Sequence, residues 1–120
     1  MELNPYIKES DLLTETHYPI YAFFNIIPEN DFIEVCENFS KGIGRGIEFA
    51  VCLFPNDIDI PSEKFDGVEF SLHSGEEVVI DYSTFYFYLK KACERYLHLH
   101  NSDKEKLIAL LEKIKQKFKC

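Results

Sequence analysis

Between Gly67 and Leu89 the apolar residues change from a spacing of two to steps of three and four, and that change constrains the fold more than anything else in the chain. Val68, Phe70 and Leu72 alternate with Glu69, Ser71 and His73, the pattern of a strand with one buried face. Ser74 and Gly75 supply a tight turn. Glu77-Val78-Val79-Ile80 is rich in β-branched residues and returns as a second strand. Asp81 or Ser83 then caps a helix whose apolar positions are Phe85, Leu89, Ala92, Tyr96 and Leu99. A hairpin running directly into an amphipathic helix predicts a small antiparallel sheet packed against helices.

The flanking segments extend this plan. Residues 1–18 are polar and irregular, and Pro19 suits the first turn of a short buried helix through Ile20, Phe23, Phe24 and Ile27, ended by Pro28, although so continuous an apolar run also fits a strand. Asn30 is placed to cap a second helix with the stripe Phe32, Val35, Cys36 and Phe39, closed by Lys41 and Gly42. Gly42-Ile43-Gly44-Arg45-Gly46 lacks the ending of a phosphate loop and reads as a turn. Ile47 to Phe54 reads as one strand, with Ile47, Phe49, Val51 and Leu53 on one face and Ala50, Cys52 and Phe54 on the other; apolar residues on both faces suit a central strand. Asn56 to Asp66 is the loop before the hairpin. After the helix from Ser83 to about His100, Ser102 and Glu105 match a capping box, and Leu107, Leu110, Leu111, Ile114 and Phe118 stripe a last helix. The expectation is a single α+β domain over residues 1–120: a three-stranded antiparallel sheet, strands near 47–54, 67–73 and 77–81, with about four helices.

Charge is the informative part of the composition. Residues 1–81 hold 17 acidic and 4 basic side chains, and residues 82–120 hold 4 acidic and 9 basic. An acidic front disfavours nucleic acid as a direct ligand, and none is expected, because phosphate binding needs the opposite sign. It favours a basic protein partner, although acidity also serves plain solubility. The lysines at 113, 115, 117 and 119 complement the C-terminal dipole of the last helix. The chain shows neither a secretory leader nor a membrane-spanning stretch, which points to the cytoplasm and to no membrane partner.

Reactive constellations are weak. Cys36, Cys52 and Cys93 sit at apolar positions and read as reduced core thiols, while Cys120 ends the chain and is expected to be exposed. His98 and His100 fall on opposite sides of a helix, so no metal and no other cofactor is expected. Glu76 and Glu77 are neighbours whose side chains diverge, which does not make an acid/base pair. Of Tyr82, Tyr86, Tyr88 and Tyr96, any left exposed beside acidic residues would suit a protein interface. The readings that remain are a binding protein, a small acidic adaptor module and, more weakly, an enzyme with an unrecognised Cys/His site.

Several segments resemble the immunity proteins of contact-dependent growth inhibition systems, in particular those paired with ribonuclease toxin domains. They are Ala22-Phe23-Phe24-Asn25, Asp31-Phe32, Gly67-Val68-Glu69-Phe70-Ser71, Gly75-Glu76-Glu77-Val78-Val79-Ile80, Tyr86-Phe87-Tyr88-Leu89 and Ala92-Cys93-Glu94-Arg95-Tyr96-Leu97. The resemblance spans roughly residues 18 to 115. It implies a non-enzymatic, stoichiometric inhibitor of a cognate toxin C-terminal domain that is basic and cleaves RNA. On that implication the candidate contacts are Asp57, Asp59, Glu63, Asp66, Glu69, Glu76 and Glu77.

Overall fold

Each helix begins and ends where local chemistry allows. The computed structural model describes residues 5–120. Pro19 lies in the first turn of α1 (Tyr18–Asn25), and α2 (Phe32–Phe39) ends before Gly42, whose φ of +75° only glycine adopts freely. Four strands follow: β1 (Arg45–Ile47), β2 (Ala50–Leu53), β3 (Val68–Leu72) and β4 (Glu77–Ile80). They form one antiparallel sheet in sequence order. Asp81 caps α3 (Tyr82–Leu99) by accepting a hydrogen bond from the Thr84 amide at 2.8 Å. The chain ends with α4 (Lys104–Phe118).

The sheet is covered on one face only. Ala50, Cys52, Val68, Phe70, Leu72 and Ile80 are buried against the helices, and α1 lies on β2 and β3. Between sheet and helices is an aromatic core in which Phe23, Phe24, Phe39, Phe54, Phe70 and Phe85 meet edge to face or tilted, centroids 5.3–6.5 Å apart. The opposite face, carrying Val51, Leu53, Glu69, Ser71, Glu77 and Val79, contains no fully buried residue.

The structure corrects several expectations. The sheet has four strands, because the run from Ile47 to Phe54 reverses at Glu48-Phe49. Ile47 pairs with Ala50 and therefore shares its face rather than that of Val51, and β2 is buried on one face. A continuous apolar run carries no period with which to mark such a reversal. Only Gly42 of the glycine group turns the chain. Gly46 is in β1, and a Cβ on Gly44 would stand 1.9 Å from the Cys52 carbonyl oxygen, so glycine there permits the close approach of β1 to β2. Asn30 lies in a 3₁₀ turn (Glu29–Asp31) and does not cap α2. The Ser102–Glu105 box is absent: Asn101–Asp103 is another 3₁₀ turn, and the Asp103 carboxylate accepts the Tyr96 hydroxyl at 2.7 Å. Leu99 is 66 % exposed, and Cys120 is half-buried.

The N-terminal segment is irregular but not merely polar, since Tyr6 and Ile7 are buried; residues 1–4 lie outside the described residues. Asn25 holds the segment in place. Its Oδ1 accepts from the Ile7 amide and its Nδ2 donates to the Ile7 carbonyl, both at 2.8 Å. Arg95 adds a second tie by donating to the Tyr6 carbonyl at 2.9 Å while it pairs with Asp11. Replacing Asn25 with leucine keeps the volume but strands two buried backbone groups, each worth about 1–3 kcal/mol when left unsatisfied. Asn25→Leu is expected to lower unfolding free energy by about 2–4 kcal/mol in urea titration, with Tyr6 becoming accessible. A change below about 1 kcal/mol would show that the segment holds without this amide.

Candidate functional site

Acidic side chains are used differently in the two layers. Around the helices five of them are paired internally: Asp11 pairs with Arg95 and Lys91, Asp31 and Glu34 with Arg45, Glu37 with Lys106, and Glu29 faces His100. Arg95 holds the Asp11 carboxyl below its ordinary range by hydrogen bonding. From Arg45 to Asp81, the stretch that builds the sheet and caps α3, there are nine acidic residues and two basic residues, Arg45 and Lys64. That is a balance of −7, against −8 for the whole chain. Among the described residues none of these nine carboxylates forms an ion pair.

The seven carboxylates expected from sequence do not form one cluster. Asp57 does internal work, accepting from the Gly44 amide at 2.9 Å and the Phe54 amide at 2.7 Å. Asp59, Glu63 and Asp66 are exposed on the loop between β2 and β3. Glu76 and Glu77 are exposed at the opposite end, where β3 turns into β4. Five residues of strand put these ends about 17 Å apart. Glu69 lies between them on the open face, half-buried, directly across from Leu53 on one side and Val79 on the other. Partial burial and the like charge of Glu77 hold the Glu69 carboxyl above its ordinary range.

Sequence reading named Glu76 and Glu77 but missed the other half of the upper rim, the turn between β1 and β2. Glu48 sits at a φ of 51°, a left-handed conformation that glycine favours, and Phe49 beside it is 39 % exposed. The His73 amide donates to the Phe49 carbonyl at 2.8 Å, tying the two turns of the rim together. The signal was available: Glu48 is the single polar residue between Ile47 and Phe54.

Other chemistry is poorly served. Among the described residues no group of three or more His, Cys, Asp or Glu could hold a metal ion, and no helix is long and apolar enough to cross a membrane. The Cys36 thiol is pushed up by its hydrogen bond with Cys93 and by burial, and Cys52 is pushed up by burial and then by Asp57. Both shifts oppose formation of a nucleophilic thiolate. What the site offers is an acidic, partly apolar and uncovered sheet face suited to another protein.

A family model described as CDI immunity protein matches residues 11–111. No curated protein matches the sequence significantly. Among solved structures the chain is similar to an immunity protein from Neisseria meningitidis MC58, with a TM-score of 0.70, 18 % identity, and coverage of 94 % of this chain and 99 % of that one. At that identity the likeness is one of fold.

Proposed function

The chain belongs to the CDI immunity protein family, and from that premise we propose that it neutralises a cognate ribonuclease toxin domain by binding it as a one-to-one protein complex in the cytoplasm. The observation that carries this reading is the balance of −7 along the stretch that builds the sheet, where among the described residues none of the nine carboxylates forms an ion pair. A domain that cleaves RNA must present cations to phosphates. A rigid surface of free carboxylates can occupy such a cleft in place of the phosphates and exclude the substrate. The split in charge along the chain, acidic through the sheet and basic toward the C-terminus, also orients the approaching partner toward the sheet.

The test is a titration. The C-terminal domain encoded immediately upstream is purified, and its cleavage of RNA is followed as this protein is added. Activity is expected to vanish at an equivalence point near one to one. The association rate should fall about tenfold or more as salt is raised from low to physiological strength, because exposed charges are screened within about 8–10 Å. Undiminished cleavage with this protein in micromolar excess would overturn the reading.

A further inference from the structure

The open face of the sheet is organised in rows that the strand register defines. One row runs Leu53, Glu69, Val79, and the next runs Gly46, Val51, Ser71, Glu77. Val51, Leu53 and Val79 lie outside the core packing, and Val79 is 45 % exposed. Glu69 is therefore a carboxylate with an apolar side chain on each side, a like charge on the diagonal and no cation within ion-pair distance among the described residues. In the isolated chain that arrangement is unfavourable: apolar neighbours take water from the carboxylate, and Glu77 repels it.

Resting on the immunity reading, we infer that this open face is the centre of the toxin interface, and that Glu69 receives an arginine of the basic partner laid between Leu53 and Val79. A guanidinium fits better than an ammonium. It pairs with a carboxylate through two parallel hydrogen bonds, and its flat, weakly hydrated faces rest well on leucine and valine. The raised protonation range of Glu69 agrees with a site that lacks its counter-charge in the free chain.

Dimensions give each part its role. Three strand spacings by five residues make a face of about 14 by 17 Å, or about 240 Å². A stable interface covers about 800 Å² on each partner, so the face can supply only the centre. The remainder must come from the rims: Phe49 and Glu76 above, and the loop with Asp59 and Glu63 below. Central, desolvated contacts govern dissociation, whereas exposed rim charges govern association.

The experiment measures association and dissociation rates of the complex for three variants, with thermal unfolding of each free protein. Glu69→Gln is expected to raise the dissociation rate about 50-fold while leaving Tm unchanged or higher, because it removes an unfavourable charge. A purely structural residue would instead lose stability. Val79→Arg, at an exposed position, is expected to abolish inhibition with the fold intact. The double variant Asp59→Asn/Glu63→Gln should slow association severalfold and change dissociation less than twofold. If Glu69→Gln and Val79→Arg bind like the wild type, the open face is not the docking surface. If the wild-type chain itself fails to inhibit, the immunity reading falls and takes this inference with it.

Discussion

Phe85→Ala is expected to destabilise the protein by about 4 kcal/mol, within the range of about 3–5 kcal/mol for truncating a buried phenylalanine. Phe85 is fully buried, and its ring contacts Phe39, Phe54 and Phe70 with centroids 5.3, 5.4 and 6.3 Å away. These rings come from α2, the residue that follows β2, and β3, so one side chain joins helices to sheet. The neighbours are rigid aromatics fixed by further contacts of their own, such as Phe39 with Phe23 and Phe70 with Phe24. A cavity left there collapses poorly, which puts the cost toward the upper part of the range. For a chain of this length the loss corresponds to a fall in Tm of about 10–20 °C. Calorimetry on the free protein measures it. A fall of only a few degrees would mean that the aromatic cluster is redundant at its hub.

Gly67→Ala is expected to cost about 2–4 kcal/mol by a different route. Gly67 precedes β3 with a φ of +121°, a region closed to side chains at a cost of about 1–3 kcal/mol. A Cβ there would also stand 2.2 Å from the carbonyl oxygen of Ile80. That atom is backbone, on the rung where Val68 pairs with Ile80, so relief requires β4 to move away. Gly75→Ala separates the two contributions. Gly75 has a φ of +111°, but a Cβ there would meet nothing within 4 Å, so only the conformational part is lost. Denaturant titrations should rank Gly67→Ala at least 1 kcal/mol worse than Gly75→Ala. Equal costs would show that β4 yields freely.

Local features were legible in the sequence and distant ones were not. The alternation of Val68, Phe70 and Leu72 gave a strand with those three residues buried. Asp81 capped α3 as expected, and Leu107, Leu110 and Ile114 formed the buried stripe of α4. Each of these depends on neighbours within about four residues. Leu99 failed because it sits in the last turn of α3, where its period is sound but nothing packs over it. Ser102 and Glu105 failed because Asp103 was drawn into a bond with Tyr96, which local pattern cannot anticipate. Tyr6 and Ile7 were read as part of a polar lead-in, and their burial depends on Asn25, eighteen residues from Ile7.

The candidate site divides along the same line. That this chain is acidic, that its acidity is concentrated before the last two helices, and that Glu69 and Glu77 are on or beside a hairpin followed from sequence alone, because charge and short-range period are properties of the string. Which carboxylates remain free was decided only in three dimensions. Asp11 was spent on Arg95, and Asp57 on the amides of Gly44 and Phe54. Glu69 was left between Leu53 and Val79 because strand register, set by pairing across the sheet, chose its neighbours. A residue's charge belongs to the residue, but its counter-charge and its hydration belong to whatever the fold brings beside it.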